Sequence, residues 1–267
     1  MVTVPEDLPP DQEYDGVLAR YYDAYFTGLA GEESYYRTLA LNAEGPVLEL
    51  GCGSGRTLIP IAQAGVSIVG VERSEQMLAL AQSNVRQLPD VVARRIELLA
   101  GDMRSFDLAR QFSLITLPYR TFQHLLTIED QHLALERICA HLRPGGLLAL
   151  NVFDPLMDIA QLLTSPDPVE PAVDGEFQDE GRQIRARYLR GYDPALQWMV
   201  QHFWFDELDG DQVLDTRQAR LTLRYAFRFE MLHLLQNHGL LIESIHGGFG
   251  GEAYEGWGEQ VWVACKP

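Results

Sequence analysis

Short apolar runs alternate with amphipathic stretches through the first half of the chain. "PVLELG" reads as a strand, and "RTLIPIAQAG" as a helix closed by Gly65. "VSIVGVE" is a second strand, and Ser74 is placed to cap "EQMLALAQSNVRQL", which stops before Pro89. "RIELLAGD" and "FSLITLP" are a third and fourth strand. Thr127 and Asp130 have the spacing of a capping box opening "IEDQHLALERICAHL", with a turn at "RPGG" before a fifth strand, "LLALNVFD". Upstream, "YYDAYFTGLAGEESYYRTLAL" reads as helix on either side of Gly28 and Gly31. Apolar strands that alternate with helices build a parallel sheet covered on both faces. The fold expected is a Rossmann-like, doubly wound α/β sheet.

After Asp154 the period changes. A Pro-rich loop, "TSPDPVEPAVDG", leads into three strand-like runs, about Phe177 to Arg190, Leu196 to Phe205 and Val213 to Phe227. Turns at "GYDP" and "ELDGDQ" separate them. In the last run Ala219, Leu221, Leu223, Tyr225 and Phe227 share one face, with Arg220, Thr222, Arg224 and Arg228 on the other. This predicts an antiparallel sheet inserted into the α/β fold. A helix at "FEMLHLLQNHG" follows, and "LLIESIHG" with "EQVWVAC" reads as a closing antiparallel pair. Four regions result: residues 1–45 as a helical cap, 46–154 as the α/β core, 155–229 as the inserted sheet and 230–267 as the completion of the core sheet.

Composition narrows the functions. The 21 basic and 38 acidic residues leave a net charge of −17, which opposes the cationic surface that nucleic acid requires. No apolar run approaches the ~20 residues of a membrane span, and the acidic, Pro-rich N-terminus lacks the plan of a signal peptide, so a cytoplasmic protein is expected. Cys52, Cys139 and Cys265 are too few and too scattered for a disulfide framework or a metal site. From Phe177 to Phe229 eight arginines offset eight acids, leaving that segment near neutral. Those arginines suit an anionic ligand or, equally, pairing with the local acids.

The stretch "VLELGCGSGR" carries the chemistry. A strand that enters a glycine-rich turn before a helix opens a nucleotide-binding unit. A P-loop needs Lys where Arg56 stands, and a dinucleotide fingerprint needs Gly or Ala at that same position; the spacing Gly51, Gly53, Gly55 fits neither. Glu72 ends the second strand, where an acid can accept from both ribose hydroxyls. Asp102 follows the third strand, where a carboxylate can accept from an adenine amine, with Met103 as an apolar wall.

This order of glycine loop, strand-end acid and "GDM" resembles the class I S-adenosylmethionine-dependent methyltransferases over Pro46 to Asp154. The resemblance implies S-adenosylmethionine as cofactor. Glu49 would lie below its methionine end, and Gly51, Cys52, Gly53 and Gly55 would wrap the amino-acid moiety. Glu72 would meet the ribose, and Asp102 and Met103 the adenine, with Arg73 and Leu117 also among the cofactor-binding residues. "LPYRTFQHLL" and "ARYYDAYF" are similar to the deoxysugar N,N-dimethyltransferases, which implies an acceptor-side role for His124 and a methyl-pocket role for Tyr22. The expected activity is methyl transfer to nitrogen or oxygen of a small molecule, with the inserted sheet as a lid. A non-methylating cofactor-binding protein, or a macromolecule-directed enzyme, is the alternative. No metal, nucleic-acid or membrane partner is expected, and monomer and dimer both remain open.

Overall fold

The computed structural model describes residues 14–164 and 170–267. The "SPDPV" part of the expected Pro-rich loop, residues 165–169, lies outside them. Helices α1 (Val17–Tyr25) and α2 (Glu32–Asn42) precede β1 (Val47–Leu50), α3 (Leu58–Gln63), β2 (Ile68–Glu72), α4 (Glu75–Arg86), α5 (Asp90–Ala93) and β3 (Ile96–Ala100). Then come β4 (Phe112–Leu117), a single 3-10 turn at Thr121–His124, α6 (Ile128–His141), β5 (Leu142–Asp154) and α7 (Leu156–Thr164). Strands β6 (Ala172–Asp179), β7 (Arg182–Asp193), β8 (Trp198–Asp209) and β9 (Gln212–Arg224) lead to α8 (Arg228–Asn237), β10 (Leu241–His246) and β11 (Gly258–Cys265). Among the described residues no helix is long and apolar enough to cross a membrane.

The chain divides into two compact units. One comprises the stretch up to Thr27 with Met157–Arg224; the other comprises Gly28–Leu156 with Tyr225–Pro267. The expected N-terminal cap is therefore shared between them, and the sheet-bearing unit ends at Arg224 rather than at Phe229.

In the second unit seven strands lie in the order β10-β11-β5-β4-β1-β2-β3. Every pairing from β5 to β3 is parallel, and β11 is antiparallel to both β5 and β10. Strand order reverses beside β1, which places the glycine turn at the crevice of the sheet. Val47, Leu48 and Leu50 of β1 and Phe112, Leu114, Ile115 and Leu117 of β4 are fully buried, as strands covered on both faces must be. Ser74 caps α4 by accepting from the Met77 amide at 3.1 Å, and Thr127 caps α6 by accepting from the Asp130 amide at 3.0 Å. Only this half of the expected capping box forms among the described residues: the Asp130 carboxylate receives Arg104 at 3.0 Å instead, and a charged donor makes the stronger bond. "RPGG" is no free turn. It bulges within β5, whose register advances from Phe112–Leu142 to Leu114–Leu147.

The first unit holds a four-stranded antiparallel sheet in the order β6-β7-β8-β9, where the sequence predicted three strands. The run Phe177 to Arg190 is broken by a hairpin with Glu180 at φ +48° and Gly181 at φ +80°. Glutamate is uncommon in that left-handed position, so the turn had none of the usual Asn-Gly or Asp-Gly signal. On one face Ala186, Phe203, Phe205, Ala219 and Leu221 are buried, and α1 lays Tyr21 against Phe205 at 4.9 Å between ring centroids. The arginines mostly meet acids: Arg185 with Glu176, Arg187 with Asp206, Arg190 with Asp158, Arg182 with Glu207 and Arg217 with Asp215. Of the two readings of that charge, internal pairing is the one the geometry supports for these five.

On the opposite face, His202 is 2% exposed and neither ring nitrogen has a hydrogen-bond partner among the described residues. Burial and the Arg220 charge pull its pKa down to about 4. The unfolded chain binds a proton near pH 6.5, so folded stability falls as pH drops from about 6.5 toward 4. His202→Leu is expected to raise stability by about 1 kcal/mol or more, since an unpaired buried polar group costs about 1 to 3 kcal/mol. It should also flatten the acid side of the stability curve, as thermal melts across pH will show.

Candidate functional site

The site is built on the carboxyl ends of β1, β2, β3 and β4. Gly51, Gly53 and Gly55 all take positive φ, at +65°, +55° and +87°. Each alternate residue thus turns the chain in a way that only glycine adopts cheaply. The loop is tied inward by Gly51 and Cys52, whose amides donate to the Val71 carbonyl at 2.8 and 3.2 Å. A Cβ on Gly51 would stand 2.4 Å from Cγ2 of Thr121. The Cys52 thiol is buried and pushed well above its ordinary range by burial, so it packs rather than reacts. It packs against Gly70, where a Cβ would lie 2.7 Å from the sulfur and 2.6 Å from Leu58. Gly70, in mid-strand, is a site residue that the sequence reading missed.

Two acids frame the loop. Glu49 is 0% exposed; Oε1 accepts from the Thr57 hydroxyl at 2.8 Å, while Oε2 has no partner among the described residues. Burial raises its pKa to about 8. Glu72 accepts from the Gly53 amide through Oε2 and from the Ser74 amide through Oε1, both at 2.9 Å. Its carboxylate therefore holds the tip of the glycine loop.

Past β3, Asp102 accepts from Arg104 three times: from the amide and Nε at Oδ1, both 2.9 Å, and from Nη2 at Oδ2, 2.6 Å. Those bonds from Arg104 hold its carboxyl below the usual range. Arg73 stands 3.9 Å from the same oxygen. Met103 packs partly buried against the core, and Leu117 is wholly buried within it. His124, on the turn after β4, is half-buried, and burial with the Arg73 charge lowers its pKa to about 4. At neutral pH it is an uncharged imidazole. Tyr22 belongs to the other unit, on α1, where its ring meets Tyr14 and Phe26, each at 5.3 Å.

The link from β4 to the His124 turn is strained. Tyr119 and Arg120 both have positive φ, +54° and +64°, conformations that cost non-glycine residues about 1 kcal/mol or more each. Buried polar side chains hold them there. Glu32, 0% exposed, accepts the Tyr119 amide at 2.7 Å and the Arg56 guanidinium at 2.6 Å. Arg120 pairs with Glu259 at 2.7 Å, and Glu259 takes the Asn151 amide at 2.5 Å. Asn151 in turn receives the Tyr36 hydroxyl at 3.0 Å. None of these residues was legible as part of the site. They are distant in sequence, and only the packing of α2 and β11 on the sheet assembles them.

The arrangement fits a nucleoside bearing an amino-acid tail. The loop turns at its glycines, the buried Glu49 Oε2 is a polar atom with no partner among the described residues, and the Glu72 and Asp102 carboxylates stand at successive strand ends. Comparison with known proteins agrees. Residues 47–146 match the family described as methyltransferase domain. The cypemycin N-terminal methyltransferase of a Streptomyces species is 31% identical over 230 residues, 82% of either chain. The dTDP-3-amino-3,6-dideoxy-alpha-D-glucopyranose N,N-dimethyltransferase of Streptomyces fradiae is 32% identical over 151 residues. That alignment spans 53% of this chain and about half, 55%, of the relative. Among solved structures, the CcbJ methyltransferase from Streptomyces caelestis superposes with a TM-score of 0.75 at 24% identity, over 92% of this chain and 95% of that one.

Proposed function

The chain belongs to the S-adenosylmethionine-dependent methyltransferases, and we propose that it transfers a methyl group to a nitrogen of a small molecule. The observation that carries this reading is the convergence of the left-handed glycine loop, Glu72 and Asp102 on one end of the sheet. Nitrogen is preferred to oxygen because both relatives named above are described by transfer to nitrogen. The cofactor's sulfonium supplies an electrophilic methyl and a good leaving group. This chain's residues then have the simpler duties of binding, alignment and water exclusion.

In this reading Gly51 to Gly55 cradle the amino-acid tail, with Glu49 beneath it. Glu72 accepts from the ribose and Asp102 from the adenine amine. His124 faces the acceptor as a neutral imidazole, able to accept a hydrogen bond from its N–H without adding positive charge beside a sulfonium. Glu72→Ala is expected to weaken S-adenosylhomocysteine binding by about 1 to 3 kcal/mol through loss of bonds to a charged group. Titration calorimetry measures it, and unchanged affinity would remove Glu72 from the site.

The decisive experiment supplies methyl-labelled S-adenosylmethionine with a metabolite pool and identifies the labelled product by mass spectrometry. A small molecule labelled on nitrogen supports the proposal. Labelling of oxygen corrects the atom, and labelling of protein or tRNA with no small-molecule product overturns the acceptor class.

A further inference from the structure

Arg104 stands out because all three of its guanidinium nitrogens are engaged with carboxylates beside the cofactor site. It is tied to Asp102 by Nε at 2.9 Å, Nη2 at 2.6 Å and its own amide at 2.9 Å, and to Asp130 by Nη1 at 3.0 Å. Asp130 is fixed in turn in the first turn of α6, where its amide donates to the Thr127 cap at 3.0 Å. The fork thus holds one carboxylate edge-on while being braced from behind by a second. Oδ1 of Asp102 already accepts two hydrogen bonds, which saturates it. Oδ2 accepts one close bond, with Arg73 at a looser 3.9 Å, and keeps an acceptor position.

We propose that Arg104 is the positioning residue for base recognition: it fixes the plane of Asp102 so that a single acceptor position, on Oδ2, reads the exocyclic amine of the cofactor's adenine. The inference rests on the reading of Asp102 given above. A carboxylate on a freely rotating bond offers its acceptors over a broad arc, and it can turn to suit a 6-oxo base through bridging water. Clamped in one plane by a planar fork, it presents an acceptor and no donor, which suits N–H and opposes a carbonyl oxygen. Lysine, a point charge on a flexible stem, cannot impose that plane. The charged groups around Asp102 are Arg104, Arg73 and, behind Arg104, Asp130; the two arginines keep Asp102 ionised to lower pH than an ordinary carboxyl.

The test compares S-adenosylhomocysteine with S-inosylhomocysteine, the 6-oxo analogue, by calorimetry, so no acceptor is needed. The wild type is expected to prefer the adenine compound by about 30-fold or more, as a site built to meet an N–H rejects its absence. Asp102→Ala should narrow that preference to about threefold, and Arg104→Lys should narrow it similarly while leaving the analogue's own affinity within about threefold. Arg104→Lys should also move the acid limb of adenine-compound binding to higher pH than in the wild type, as Asp102 loses the bonds that hold its carboxyl below the ordinary range. Asp130→Asn, which releases only the brace, provides the same comparison should the Arg104 variant not fold. If Asp102→Ala loses the preference and both other variants keep it with the wild-type acid limb unshifted, the inference is overturned and the reading of Asp102 survives. If Asp102→Ala itself keeps the preference, that reading fails and the inference falls with it.

Discussion

Gly51→Ala is expected to abolish measurable binding of S-adenosylhomocysteine and to lower the stability of the α/β unit. Two independent physical effects act at this position. The backbone sits at φ +65°, where a Cβ costs about 1 to 2 kcal/mol. The added methyl would also stand 2.4 Å from Thr121 Cγ2, far inside contact distance. Thr121 cannot yield easily: it is β-branched, buried, and its hydroxyl donates to the Pro118 carbonyl at 2.6 Å. The loop must therefore move, and with it the Gly53 amide that Glu72 holds. We expect about 2 to 4 kcal/mol of lost stability, in the range for overpacking combined with backbone strain. Thr121→Ser removes the offending methyl, so Gly51→Ala/Thr121→Ser should recover part of the stability and little of the binding. Thermal melts and calorimetry on the three variants separate the clash from the strain. Equal stability of Gly51→Ala and wild type would show that the loop is not the rigid cradle described.

What could be read from the sequence follows from how local each feature is. The caps Ser74 and Thr127, the glycine turn and the two strand-end acids depend on neighbours within a few residues; the structure shows both caps and sets Glu72 and Asp102 at the ends of β2 and β3, while their contact with a cofactor is the proposal made above. Arg104 lies two residues from Asp102, so its partnership with that carboxylate had a local signal, the "DMR" triplet; its bond to Asp130, 26 residues away, had none. Gly70 looks like any strand glycine until Cys52 is packed against it. Glu32, Asn151 and Glu259 become neighbours only through the order of strands β5 and β11 and the placing of α2. Their effect is to hold Tyr119 and Arg120 in left-handed backbone, a strain that no propensity scale predicts for those residue types. The same limit applies to the arginines of the antiparallel sheet. Alternation gives the shared face of Arg220 and Arg224, but the strand stops at Arg224, so Phe227 and Arg228 open α8 instead, and cross-strand packing decides that Arg187 meets Asp206.

His124 carries the prediction that bears most directly on turnover. It sits one short turn beyond the strained link, so its place is fixed by the same buried network that holds Tyr119 and Arg120. Burial and the nearby Arg73 lower its pKa to about 4, so across the neutral range it accepts hydrogen bonds and carries no charge. An imidazole this weakly basic is unsuited to stripping a proton from an ammonium; in the proposed reading it orients an amine that has already lost one. The pH dependence follows from that. Turnover on the acceptor identified by labelling should show no inflection near pH 6.5, where an unperturbed histidine titrates. It should rise with pH through the acceptor amine's own pKa, and that limb should persist in His124→Ala. The substitution is expected to lower kcat by about 100-fold, the smaller end for loss of a positioned proton-handling group, while S-adenosylhomocysteine affinity stays within about threefold. His124→Gln, which keeps a hydrogen-bond acceptor, should recover part of the loss. Below about pH 5 the wild type should lose activity as the imidazole is protonated, with the positive charge then facing a cationic sulfur. If cofactor affinity falls in step with kcat, His124 holds the loop rather than the acceptor; an acid limb at pH 6.5 that disappears in His124→Gln would instead make it a general base with an ordinary pKa.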